Sequence, residues 1–514
     1  MTRLCHRRPG RSHRRALACA LAAALTFAAG RGYAYDAATT HAGLTERAAT
    51  ASSLHRVIAV QLGRALGLFE PLRLAPEHLQ GVDPRVLLEE LALLDPAQGY
   101  RPDSALTATA LGWLAAGSVL EQVPADRDRN HFYDPRRSRG LDNRAAGRSL
   151  WARVLDALEG GGTFGGIFTG DNFDLSGASS LTWIEDRDNA LGLPSFLDAR
   201  ERAATSELPS ARTTALIQAL LAAGGLLHVL EDAGEPAHVR NDYRRAFDAQ
   251  VGESVFDRTA RLERDAALAY GRAGVPAPAG RPFAAHRLRD FFTRADGQGL
   301  AQRTQRGYFS PGSLPPPLKL PVGATADEVL AAVNASLPYP EPRITRLDLN
   351  AAARGGAYLQ APGVGPLAAY RLTARGVLQI FLDERTNAAY ARALLPEVGR
   401  YATGLLEFLF RGRLAFERTA PSSQPGTQAT SGSAALVNRG LALGQGQLTL
   451  LTEDARGRRR PFATRPVAAP VAPGAALGPV TVPRGSVRLI AVFRGRDAAG
   501  EPIVVVEDAA LPLK

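Results

Sequence analysis

The sequence predicts a mainly α-helical domain followed by a small all-β sandwich domain, and three observations carry that expectation. Apolar residues recur at helical spacing through most of residues 35–413, as in "LHRVIAVQLGRALGLF", "DPRVLLEELALL", "TTALIQALLAAGGLLHVLED" and "GRYATGLLEFLFRG". A period near 3.6 puts such residues on one buried face. The run "TAPSSQPGTQATSGSAA" then breaks the pattern with the composition of a linker. Beyond it come short β-rich stretches, "GQLTLLTED", "SVRLIAVFRG" and "PIVVVEDAAL", with "RDAAGEP" as a turn between the last two. The expected division is a targeting segment at 1–34, the helical domain at 35–413, the linker at 414–435 and the sandwich at 436–514. No internal repeat is evident.

The first element is the targeting segment. Residues 1–34 hold seven arginines and no acid, with a basic start, the apolar run "ALACALAAALTFAA" and then "GRGYA". A basic start, a short apolar stretch and small residues before a cut is the pattern of a signal peptide, with cleavage expected before Tyr35. The apolar run is too short to span a membrane comfortably. Export to the periplasm or the outside is therefore expected. The formal charge of +11 falls to +4 once these seven arginines are subtracted (11 − 7). So small a balance on the remaining chain argues against a nucleic-acid-binding stripe. Both cysteines, Cys5 and Cys19, lie in the same segment, so the processed chain would have no disulfide and must draw stability from its core or from bound metal.

The helical region is interrupted twice. Residues 160–180, "GGGTFGGIFTGDNFDLSGASS", are glycine-rich, and residues 308–323, "YFSPGSLPPPLKLPVG", are proline-rich. Long irregular segments of this kind act as lids or as plain surface excursions. Phe164, Phe168, Phe173 and Trp183, in or beside the first, could touch lipid or pack the segment onto the body.

The chemistry concentrates in "LLHVLEDAGEPAHVRND", residues 226–242. His228 and Asp232 are four apart and share a helix face. Pro236 prevents the helix from continuing, so His238 can turn back toward that face. Zinc takes imidazole nitrogen, carboxylate oxygen or thiolate sulfur. With no thiol left, a metal site must use His, Asp and Glu. Two further segments offer imidazoles, "RNHFYDP" with His131 and "YDAATTHAGLTERAA" with His41. Each histidine alone reads as structural, and the joint arrangement points to a metal.

Taken together these motifs resemble the zinc-dependent phospholipase C family, whose superfamily includes single-strand nucleases. The family's His–x3–Asp–x5–His is matched by His228, Asp232 and His238, and its His-Phe-(Tyr/Trp)-(Asp/Asn)-Pro by "HFYDP". "LPSFLDARERA" and "LLPEVGRYATGLLEFLFRGRL" resemble flanks of secreted bacterial relatives. The resemblance spans about residues 35–413 and implies a phospholipase C/nuclease-like helical bundle holding two to three Zn²⁺. It implies that His131, His228 and Asp232 hold one metal, and that Asp232 bridges to a second held by His41 and the freed amine and carbonyl of Tyr35. The third metal would need His238 and a His–x3–Glu pair, where this chain has Glu253 and Asp257. That exchange favours harder ions such as Mn²⁺ or Mg²⁺. The family's metal-binding aspartate, its general base, aligns with Gln122, which leaves Glu121 as base and ligand, with Asp126 and Asp128 as other candidates.

The implied activity is hydrolysis of a phospholipid phosphodiester by metal-activated water, at a membrane surface, with no protein partner needed. A single-strand nuclease or nucleotidase on the same fold is the alternative within enzymology. A catalytically weak metal- and lipid-binding protein is the alternative outside it. The β domain would be a lipid-docking module or a generic appendage.

Overall fold

In the computed structural model the chain is described over residues 37–74, 87, 106–122, 127–141, 176–242, 271–418, 433–468 and 470–511. Seven helices of eight residues or more lie among them: α1 (Ala42–Ala51), α2 (Ala110–Leu120), α3 (Leu193–Thr205), α4 (Pro209–Asp232), α5 (Leu300–Gly307), α6 (Ala326–Ala335) and α7 (Glu384–Leu409). Polar residues start several of them. Thr109 accepts from Gly112 N at 3.0 Å ahead of α2, and Asp383 accepts from Thr386 N at 2.9 Å ahead of α7, each satisfying a first-turn amide.

Helix α4 is the axis of the body. Its sequence is apolar on every side, and from Ala215 onward nearly every residue is buried, as expected of a helix enclosed by protein. It alone among the described helices has the length and apolarity of a membrane span, and α1, α2, α3 and α7 pack around it. Its crossing with α2 depends on two glycines. A Cβ on Gly224 would meet Leu114 O at 2.1 Å, and one on Gly117 would meet Leu221 O at 2.1 Å. The two backbones therefore touch, and no side chain larger than hydrogen fits at either point. This brings the end of α2, with Glu121, against the C-terminal half of α4.

The expectation of a mainly α bundle is overturned. The architecture is mixed, 40% helical and 24% strand, with four antiparallel sheets. β1 (Pro71–Leu74) pairs with β2 (Leu106–Thr109). β3 (Leu318–Lys319), β4 (Ala357–Ala361), β5 (Gly365–Leu372) and β6 (Val377–Phe381) form a sheet in the order β3-β6-β5-β4 inside the region read as helical. These strands are short, and an apolar run of five to eight residues does not separate a strand period from a helical one. Gly363, Gly365 and Gly376, all at positive φ, make the reversals between them.

The C-terminal β region is a seven-stranded, two-sheet sandwich. β7 (Leu414–Arg418), β8 (Ser433–Asn438) and β11 (Ala476–Thr481) form one sheet, in the order β11-β8-β7. β9 (Leu443–Glu453), β10 (Arg459–Val467), β12 (Arg488–Asp497) and β13 (Pro502–Ala510) form the other, in the order β10-β9-β12-β13. Residues 414–418, expected in the linker, are thus a sandwich strand, and the sandwich resumes at 433, not 436. Its larger sheet is covered on both faces. Leu489, Ala491, Phe493 and Val505 point into the sandwich, while Ile490, Val492, Val504 and Val506 join the core of the helical body. That explains the unbroken apolar "LIAVF", which an exposed face would have interrupted with polar residues. The sandwich is thus docked on the helical body through this sheet.

Candidate metal centre

The helix end, its turn and two distant segments meet at one carboxylate. Asp232 closes α4, and Pro236 keeps the chain from continuing the helix. Glu235 Oε2 accepts from Ala237 N at 2.5 Å and from His238 N at 3.1 Å, folding the turn back on itself. His238 then begins a 3-10 turn, His238–Arg240, and Tyr133 N donates to His238 O at 3.1 Å. That bond ties the "HFYDP" segment to the end of the "HVLED" helix. A second 3-10 turn, Asp128–Asn130, delivers His131, and a π-helical turn, Ala37–His41, delivers His41 directly ahead of α1. Single π turns are often found at functional sites.

Four imidazoles surround the Asp232 carboxylate. His131 Nδ1 lies 2.8 Å from Oδ2, His228 Nε2 3.2 Å and His238 Nε2 3.8 Å from the same oxygen, while His41 Nε2 lies 3.3 Å from Oδ1. His41 and His228 stack with centroids 3.8 Å apart, and His131 meets His228 edge-on at 5.0 Å. Phe132 stacks on His238 at 4.4 Å. One donor atom each from His41, His228 and Asp232 falls within 4.8 Å of the others. All of these side chains are buried.

The electrostatics suit a cation. Burial depresses the His228 imidazole, and the His41 charge beside it adds to this, so its pKa is lowered to about 3 and the ring is neutral. Both its nitrogens lack a hydrogen-bond partner among the described residues, as do His131 Nε2 and His238 Nε2. Buried polar atoms left in this way are costly, and a neutral imidazole with its lone pair exposed is a metal donor. Burial opposes charge on His41 and His131 too. There the carboxylates win: Asp232 and Glu231 raise His41 to about 9, and Asp232 and Glu121 raise His131 to about 10. Burial would also raise Asp232, yet the surrounding histidines hold it well below the usual carboxylate range. The buried group His41–His228–Asp232 can therefore bind a metal ion, and the donor set fits one. Binding would release the protons that His41 and His131 carry.

Several carboxylates stand behind the imidazoles. Glu231 Oε2 lies 2.7 Å from His41 Nδ1, and its other oxygen accepts from Thr45 Oγ1 at 3.1 Å. A carboxylate on Nδ1 fixes the tautomer that presents Nε2. Glu235 Oε2 lies 3.3 Å from His238 Nδ1. Glu121 Oε1 lies 3.5 Å from His131 Nε2 and accepts from Trp183 Nε1 at 2.7 Å, while Oε2 accepts from Arg127 Nη2 at 2.7 Å. Burial opposes ionisation of Glu121, but Arg127 outweighs it and lowers the pKa. Asp128 Oδ1 is 3.9 Å from His131 Nδ1, and Gln122 is buried at the end of α2.

Of the residues expected from sequence, His41, Glu121, His131, His228, Asp232 and His238 come together here. Tyr35, Glu253, Asp257 and Asp126 lie outside the described residues, as do Phe164, Phe168 and Phe173. Trp183 is half-buried, with its indole N–H on Glu121 and its ring under Arg127 at 4.9 Å, so it packs against the site. Glu231, Thr45, Arg127 and Glu235 were not singled out from sequence. An acid at position 231 of a helix otherwise apolar, beside Asp232, was the available signal for the first.

Comparison with family models, with curated proteins and with solved structures gives no match.

Proposed function

We propose that the protein is an exported metal-dependent phosphodiesterase of the phospholipase C type, acting on phospholipid at a membrane surface. The observation that carries this reading is the convergence of four imidazoles from four chain segments on Asp232. Its two oxygens face different histidines, so Asp232 with these imidazoles would hold the ion, and imidazole with carboxylate suits Zn²⁺. The motifs shared with zinc-dependent phospholipases C add the substrate class. Bound divalent ions would polarise a phosphoryl oxygen and acidify a water for attack on phosphorus.

The chain's own residues then have distinct tasks. Glu231 holds the His41 ring in the tautomer that presents Nε2 toward Asp232. Glu235 and Phe132 fix His238. Arg127 and Trp183 hold Glu121 ionised with Oε1 3.5 Å from His131 Nε2, where it can share a cation with Nε2 or take a proton from water. Cleavage before Tyr35 would free an amine six residues ahead of His41, so export would complete the ligand set.

Elemental analysis of the processed chain, with parallel assays on phosphatidylcholine vesicles and on single-stranded DNA, tests the proposal. Two or more zinc ions per chain and release of a phosphorylated headgroup are expected. Turnover of DNA alone would replace the lipid assignment by the nuclease one. Full metal content with no hydrolysis of either would leave a binding protein.

A further inference from the structure

The opposite end of α4 opens on a different cluster. A cavity of about 180 Å³ lies where the first turn of α4 meets the sandwich, and four arginines line it, Arg64, Arg212, Arg459 and Arg488, with two acids, Glu453 and Asp508. Arg459 is buried. Its Nε donates to Glu453 Oε2 at 2.8 Å, Nη1 to Ala204 O at 2.7 Å, and Nη2 to Asp508 Oδ2. Arg212 Nη2 donates to Glu453 Oε2 at 3.2 Å, and Arg488 Nε to Asp508 Oδ1 at 2.6 Å. Each acid is therefore shared between two guanidinium groups.

Four cations against two anions leave the lining with two unmatched positive charges. Arg64 is the group left over. It forms no ion pair among the described residues, and its guanidinium donates from Nη2 to Thr213 Oγ1 at 2.9 Å. Glu70 acts on it only from outside the cavity, with its carboxylate on Leu66 N at 3.1 Å. Pro209 and Arg212 also bring the positive end of a long helix dipole to the cavity. Packed guanidinium groups in a half-enclosed space repel one another unless an anion joins them. Forked N–H donors match the oxygens of a phosphoryl group.

We propose that this cavity is a binding site for a dianionic phosphoryl group, from inorganic phosphate or from a small phosphate monoester. A dianion restores neutrality to the lining, and Arg64, which forms no ion pair among the described residues, is its principal contact. The site is independent of the metal centre, roughly 30 Å away along α4 at 1.5 Å per residue.

Calorimetric titration of the full chain tests this. Inorganic phosphate and phosphocholine serve as probes at constant ionic strength, with chloride as control, before and after chelator treatment. One phosphoryl group per chain is expected, bound equally well in the chelated protein. Arg64→Gln, which removes a half-exposed side chain with one hydrogen bond, should weaken binding about tenfold or more without moving the unfolding midpoint in chloride. Binding of phosphocholine would identify monoesters as the ligand class, and binding of inorganic phosphate alone would identify the free ion. Loss of binding on chelation would assign the phosphate to the metal centre and overturn the proposal. Equal affinity in wild type and Arg64→Gln would overturn it as well.

Discussion

The two ends of α4 hold dense groups of buried charge, and they are built in opposite ways. At the C-terminal end, His131 Nε2, both nitrogens of His228 and His238 Nε2 are buried around one carboxylate without a hydrogen-bond partner among the described residues. At the N-terminal end, Glu453 and Asp508 each take two arginines, and Arg459 is bonded on all three of its nitrogens. Unsatisfied polar atoms in a core are a stability cost, and they persist where a ligand answers them. Satisfied ones hold elements together, and breaking such a pair leaves a buried charge. The contrast teaches that the first cluster leaves donors open, as a group able to hold a metal ion must, while the second joins the helical body to the sandwich, with charge to spare.

The largest expected effect is on the hub. Asp232→Ala should remove metal from the chain by elemental analysis and lower phosphodiester hydrolysis to about a thousandth or less. Unchanged metal content would break the comparison outright. Gly224→Ala comes next, because its methyl would sit 2.1 Å from Leu114 O. A loss of about 2–4 kcal/mol in urea melts is expected. Metal affinity should fall with it as α2 and Glu121 are pushed from α4, whereas phosphate binding at the arginine end should survive. Glu231→Gln sharpens the picture further. The fold should persist while metal affinity drops about 10–100-fold in chelator competition, since the partner that sets the His41 tautomer is weakened.

The smallest effect lies on β13, at Glu507. Burial pushes Glu507 up to about 7, with Asp508 adding to it and Arg413 opposing. Below pH 4.5 the folded and unfolded chains are both protonated there, and the full stability is present. Between 4.5 and 7 only the unfolded chain has released the proton. Stability is therefore lost as pH rises through 7, by about 1–3 kcal/mol after allowance for partial exposure. Denaturant midpoints at pH 5 and pH 8 measure it, and Glu507→Gln should flatten the difference.

Much of the candidate site could be read from the chain because its spacing is local. His228, Asp232 and Pro236 state their geometry in nine residues, and the turn back to His238 follows from the proline. The meeting of His41 and His131 with them rests on contacts across 101 or more residues, which no local pattern encodes; only the resemblance to a known family suggested that part. Glu231 escaped notice because its partner His41 lies 190 residues away. The helical core was legible where runs are long, as in α4 and α7. The inner sheet was not, because "VLQIF" and "GPLAAYRL" are too short and too rich in small residues to declare a period. The β1–β2 pair joins strands more than thirty residues apart, so its hydrogen bonds leave no local trace. The sandwich was legible through its apolar runs, but the same runs also announced that both faces of a sheet would be covered.

That doubly covered sheet has a practical consequence. A chain divided at residue 413 would expose Ile490, Val492, Val504 and Val506 on one piece and the flank of α3 on the other. Neither fragment would be a clean reagent: each would present a greasy strip to water and cling to the other or to its own kind. Attempts to produce the metal-binding half alone should yield aggregates, and co-expression of the two pieces should rescue them.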